Sequence, residues 1–184
     1  MLVVCIHGAP GVGKLSVGRQ LENATGFILI HDHLVIETAA VVFPFGEARF
    51  SRLRSKLFAD LLDGACSSGN GIILTHANDI FWEPSFAAMV KDCTKRYGYV
   101  VKRVFLSCDY EQHVKRISDP HRARYRKIND MERLRRLIEA GEFKLPVAER
   151  GDLSVDTTKL LPLQVAGKIG SSLDLLKSPQ AEVG

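Results

Sequence analysis

The residues with the clearest chemical meaning lie near the start of the chain. Gly8-Ala9-Pro10-Gly11-Val12-Gly13-Lys14 has the spacing G-x-x-x-x-G-K, directly after the apolar run at residues 2–6 and before a helical pattern. Glycines at these places let the backbone wrap tightly, so that successive N–H groups converge on anionic oxygens. A helix starting at the loop's end adds the positive end of its dipole. Lys14 supplies a point charge for the β- and γ-phosphates of a nucleotide. The alternative is a glycine-rich turn that only joins strand to helix; the complete strand–loop–helix context favours the nucleotide. The expected nucleotide-binding residues are Gly8, Ala9, Pro10, Gly11, Val12, Gly13, Lys14, Leu15 and Ser16. The hydroxyl that commonly follows the lysine and ligates Mg2+ is displaced: Leu15 stands there, and Ser16 comes next.

A second group is His31-Asp32-His33, at the end of the apolar run 27–30. A carboxylate at such a strand tip faces the γ-phosphate held by the loop. There it can orient an attacking hydroxyl and accept its proton. The alternative is an Asp that caps the next helix. With Ser16, Asp32 is also the candidate oxygen ligand for Mg2+. His7 and His76 map to strand ends as well, so four of the six histidines gather at one edge of the expected sheet. They could meet phosphate, acceptor or metal, or be satisfied by backbone. Asp79, after the third strand, is either a metal-organising carboxylate or a turn residue.

The third group is basic. Between Glu111 and Arg136 there are nine Lys/Arg against four Asp/Glu, although the whole chain carries only +4. A surplus confined to one segment suggests a local anionic ligand. Arg116, Arg122, Arg124 and Arg126 offer planar faces for a base and forks for phosphate oxygens. The alternative is a solvated basic loop. Phe43, Phe45, Arg49 and Arg52 lie between the second and third strands, where they could cover an acceptor or belong to the core and surface.

These residues need a scaffold that brings strand ends together. Short apolar runs at 2–6, 27–30, 72–75, 99–106 and 153–155 alternate with helical patterns at 14–25, 50–65, 84–97, 109–117, 130–140 and 162–176. Phe50, Leu53, Leu57, Leu61 and Ala65 are the expected inner face of the second helix; Val17, Leu21 and Ala24 that of the first. Such alternation predicts an α/β fold of three layers: a five-stranded parallel sheet with helices on both faces. Ligands of such sheets bind at the carboxyl ends of the strands. One domain is expected over 1–177, with an acceptor flap at 34–66, a lid at 118–150 and a flexible tail at 178–184.

GAPGVGKLS resembles the phosphate loop of adenylate kinases, G-x-P-G-x-G-K-G-T, in which the hydroxyl also falls one place late. The wider layout resembles the small P-loop kinases, among them shikimate, gluconate and chloramphenicol kinases, and Asp32 is similar to the base of the chloramphenicol phosphotransferase pattern. The resemblance implies a P-loop kinase fold and transfer of the γ-phosphate of ATP, with Mg2+, to a small-molecule acceptor. It implies Lys14, Asp32, Arg122 and Arg124 as catalytic residues and Arg116 on the adenine ring, with Asp156-Thr157-Thr158 passing the same base. The stretch Thr75-His76-Ala77-Asn78-Asp79 lacks the triple glycine that shikimate kinases carry there, which weighs against shikimate as acceptor.

Other functions fit less well. No apolar run approaches the roughly 18 residues of a membrane helix. The start LVVCIHGAPG has no secretory pattern. Cys5, Cys66, Cys93 and Cys108 are scattered, as expected of reduced cytoplasmic thiols. No guanine motif of a small GTPase follows a strand. The localised charge weighs against nucleic acid, and so against a polynucleotide 5′-hydroxyl kinase. An NTPase or a degenerate kinase without an acceptor remains the alternative, kept open by Leu15. A monomer or a small homo-oligomer is expected.

Overall fold

Five apolar segments pair as parallel strands in the computed structural model, which describes residues 1–76, 84–120, 130–141 and 145–175. The strands are β1 (Leu2–Gly8), β2 (Ile28–His31), β3 (Ile72–Thr75), β4 (Val100–Ser107) and β5 (Leu153–Asp156). The helices are α1 (Lys14–Thr25), α2 (Asp32–Val42), α3 (Ala48–Ser67), α4 (Pro84–Arg96), α5 (Tyr110–Ile117), α6 (Met131–Glu139) and α7 (Pro162–Ser172). The sheet order is β2-β3-β1-β4-β5. Every pairing is parallel, so all the strands end at one edge.

The central strand β1 is buried on both faces, which is why it reads as continuous apolar sequence. Val3 and Cys5 point to one side, with Phe58 and Leu62 of α3 and Val90 of α4. Val4 and Ile6 point to the other, with Val17 and Leu21 of α1 and Val165 and Ile169 of α7. Each such aliphatic side chain contributes about 1.5–3 kcal/mol through burial.

The expected parallel sheet is therefore present, with several differences in detail. β1 runs two residues further than its apolar run, because His7 and Gly8 pair with Phe105 and Leu106. The residues after Asp32 form a separate helix, α2. On α3 the residues turned inward are Phe50, Phe58, Leu62, Ala65 and Cys66. Leu53 and Leu57 are half-buried and Leu61 is exposed, so the inner stripe is rotated by about one residue. On α1 the inner residues are Val17, Gly18 and Leu21, and Ala24 is exposed. Gly18 packs directly on β2 and β3: a Cβ there would lie 3.0 Å from Leu29 and 3.2 Å from Thr75. The last helix stops at Ser172, where Leu175 N–H turns back to the Gly170 carbonyl at 2.8 Å. Residues 77–83, 121–129, 142–144 and 176–184 lie outside the described residues, and with them part of the expected lid and the whole of the expected tail.

Candidate active site

The phosphate loop leaves β1 at Gly8 and enters α1 at Lys14. Three of its residues need glycine for the backbone alone: φ is +141° at Gly8, +92° at Gly11 and +99° at Gly13. Gly8 also has no space, since a Cβ would lie 2.3 Å from the Leu106 carbonyl oxygen of β4. Gly13 is the N-cap of α1 and brings no side-chain cap, and the first turn carries no acidic residue. The helix start thus keeps its positive character. Lys14 Nζ donates to the carbonyls of Gly8 and Ala9 at 2.7 and 2.8 Å, which curls the loop around the ammonium group. Val12 is buried; Leu15 is half-buried and Ser16 exposed on the first turn of α1.

Asp32 is the first residue of α2, and the N-cap is His31. The expected alternative, Asp32 as the cap, is not what the helix uses; the carboxylate sits in the first turn, where the dipole favours it. Asp32 Oδ1 lies 3.4 Å from His76 Nε2, and both side chains are largely buried, at 16% and 7% exposure. His76 follows β3 and its N–H donates to the Ile6 carbonyl at 3.3 Å. β3 lies between β1 and β2, so the loop and Asp32 are not on adjacent strands; His76 occupies the tip between them. The rings of His31 and His33 stand 6.1 Å apart.

His7 does not join this group. It is 1% exposed, and its Nε2 lies 2.9 Å from Asp152 Oδ2. Arg103 binds the same carboxylate at 2.9 Å and Glu149 at 2.7 Å. This charged knot spans β1, β4 and the approach to β5. Sequence separation hid it: the partners of His7 lie 96 and 145 residues away.

Arg116 closes α5 and donates to Thr157 twice, to Oγ1 at 2.8 Å and to the carbonyl at 2.7 Å. This joins the residue expected near the base to the loop after β5. Asp156, the last residue of β5, is held below its ordinary range by hydrogen bonds from Thr158, with Arg116 and Lys159 adding positive charge. The Cys108 thiol is pushed up by burial. Arg122, Arg124, Arg126 and Asp79 lie outside the described residues. In the flap, Phe45 is exposed and packs on the buried Phe50 at 5.0 Å, and the Arg49 guanidinium lies 4.9 Å over Phe43 while pairing with Glu47. Arg52 is exposed and Arg54 half-buried. Sequence reasoning missed His113, whose ring reaches the loop at Pro10.

Among the described residues no group of three or more His, Cys, Asp or Glu could hold a metal ion, and no helix is long and apolar enough to cross a membrane. Of the two residues expected to offer oxygens to Mg2+, Ser16 is exposed on the first turn of α1 and Asp32 opens α2.

The fold and the phosphate loop are similar to those of the small P-loop kinases. No family model matches the chain. A shikimate kinase of Corynebacterium efficiens is 28% identical over 143 residues, 69% of this chain and 83% of that protein. A shikimate kinase of Thermodesulfovibrio yellowstonii is 26% identical over 175 residues, covering 90% of this chain and 91% of that one. Among solved structures, the Mycobacterium tuberculosis APS kinase CysC, in complex with AMPPNP and APS, superposes with a TM-score of 0.55 at 16% identity, over 96% of this chain and 98% of that one.

Proposed function

We propose that this chain is a phosphotransferase that moves the γ-phosphate of ATP to a hydroxyl of a small-molecule acceptor. The observation that carries the reading is the complete phosphate loop with Asp32 and His76 on the next strand tips of the same sheet edge. The kinase relatives, and the APS kinase solved with an ATP analogue, support it.

In this reading the loop's N–H groups and Lys14 bind the phosphates, and Lys14 exchanges the Gly8 and Ala9 carbonyls for phosphate oxygens. Asp32 orients the acceptor hydroxyl and takes its proton. The acceptor oxygen forms a bond to the γ-phosphorus as the bond to the β–γ bridging oxygen breaks, and ADP leaves with that electron pair. Ser16 and Asp32 would hold Mg2+ through their oxygens, and the ion would supply positive charge to the phosphate oxygens. Arg116 serves the base, and Arg122 and Arg124 the transferring phosphoryl group. The rate then comes mainly from positioning and charge neutralisation.

The test is a transfer screen with ATP·Mg2+ over hydroxyl metabolites, nucleosides and antibiotics, with shikimate and gluconate among them. An acceptor that forms a phosphorylated product supports the reading. ATP hydrolysis or binding with no acceptor product across the screen favours the NTPase or degenerate kinase instead.

A further inference from the structure

The phosphate loop is held from outside by two side chains that lie far from it in sequence. His113 on α5 reaches the Pro10 carbonyl with Nε2 at 2.6 Å. A carbonyl only accepts, so Nε2 carries the hydrogen. Thr157, beyond β5, is 2% exposed, and its Oγ1 lies 3.1 Å from the Val12 carbonyl and 2.9 Å from that of Ser107. One hydroxyl hydrogen serves those two carbonyls, while the Arg116 N–H at 2.8 Å fills a lone pair of the same oxygen.

Peptide geometry gives these bonds a consequence. In a trans peptide the carbonyl and the following N–H point in opposite directions across one plane. A Pro10 carbonyl fixed toward α5 therefore turns the Gly11 N–H away from α5. A Val12 carbonyl fixed toward Thr157 does the same for the Gly13 N–H. Glycine backbone is the most permissive, so these planes depend on outside partners for their orientation. The third contact is steric. His113, Arg116 and Ile117 share one face of α5, and a Cβ on Gly11 would lie 2.9 Å from Ile117 Cγ1.

We propose that His113 and Thr157 are positioning residues that aim the Gly11 and Gly13 N–H groups at the nucleotide phosphates. Neither belongs to the G-x-x-x-x-G-K motif, and neither has to touch the nucleotide. Arg116 supports Thr157 from the same helix as His113, so one helix face sets two peptide planes. The inference rests on the nucleotide reading given above.

Calorimetric titration with ATP·Mg2+, and separately with adenosine, tests it. His113→Ala is expected to weaken ATP about fivefold to tenfold, the size of one lost hydrogen bond, and to leave adenosine unchanged; Thr157→Val, which also takes a partner from Arg116, is expected to weaken ATP by at least as much and adenosine by clearly less. His113→Gln keeps an N–H donor and is expected to retain most of the affinity. Unchanged ATP affinity in both variants overturns the inference. So does an equal loss for ATP and adenosine, the mark of general damage to the site. If His113→Ala does not fold, Thr157→Val and its ATP-to-adenosine ratio decide alone. Wild-type protein that binds no ATP, with Lys14→Ala behaving identically, overturns the nucleotide reading itself and this inference with it.

Discussion

His76 Nε2 lies 3.4 Å from Asp32 Oδ1, with the imidazole on the tip of the strand that separates Asp32 from the phosphate loop. The backbone N–H of His76 donates to the Ile6 carbonyl of β1, so one residue touches both the carboxylate and the strand that carries the loop. A side chain held in this way presents Asp32 in a fixed direction at the strand edge.

Asp32→Asn tests that role directly. The amide keeps the shape but cannot take a proton. Transfer to an identified acceptor is expected to fall about a hundredfold at saturating ATP, the usual scale of a general-base step. ATP affinity is expected to stay near the wild-type value. Asp32→Ala should cost about 1–3 kcal/mol of stability, because the largely buried His76 loses its carboxylate and the first turn of α2 loses a negative charge. Near-equal transfer rates for wild type and Asp32→Asn would remove Asp32 from the mechanism.

Lys14→Ala separates binding from folding. Lys14 Nζ spends its hydrogen bonds on two loop carbonyls. Its removal is expected to cost about 1–2 kcal/mol of stability and to leave the protein folded. Loss of charge-assisted bonds to phosphate should weaken ATP at least about tenfold. Circular dichroism and an equilibrium titration on the same sample check both halves, and unchanged ATP affinity would contradict the loop assignment.

The loop was legible because everything it needs is contiguous: a buried strand, glycines where φ is positive, a lysine at the helix start. Parallel strands and helices were legible from alternation alone. What escaped the sequence joins distant segments. His113 bonds a backbone carbonyl, and a carbonyl carries no residue type, so no spacing announces it. His7 reads as a strand-tip histidine, but the side chain turns into the sheet face, where Arg103 and Asp152 neutralise one another around it. In α2 only Asp32, His33, Glu37 and Thr38 are polar, and Leu34, Val41 and Val42 remain exposed, so the boundary between an inner apolar and an outer polar face is blurred.

Two glycines of the loop should respond differently to an added methyl group. At Gly8 a Cβ meets the Leu106 carbonyl oxygen at 2.3 Å, and the clash adds to the strain of φ +141°. Gly8→Ala is expected to cost about 3 kcal/mol or more, because β4 backbone must move. At Gly13 nothing lies within 4 Å of the Cβ position, so only the backbone is strained. Gly13→Ala should cost about 1–2 kcal/mol. Urea unfolding of the pair decides, and equal losses would mean that the approach of β4 to the loop is not tight.

The last prediction concerns alkaline pH. Cys66 is 1% exposed at the inner face of α3. Burial pushes its thiol up from 9.0 to about 12, helped by the neighbouring Cys93 thiol and then by the Asp63 carboxylate. Burial raises Cys93 and Tyr99 in the same direction. The neutral thiol is thus favoured by the folded state. Below pH 9 both folded and unfolded chains hold the proton, and Cys66 adds no pH dependence. Between pH 9 and about 12 the unfolded chain releases the proton while the folded one keeps it, so stability falls as pH rises. The unfolding free energy of wild type should therefore drop more steeply across that window than that of Cys66→Ala, by up to one proton per molecule. The variant itself is expected to start lower at pH 8, because it leaves space in the core. Thiol alkylation under native conditions should also be slower at Cys66 than at the half-buried Cys108. Parallel stability curves for wild type and Cys66→Ala from pH 8 to 12 would show that the thiol ionises as freely in the fold as outside it.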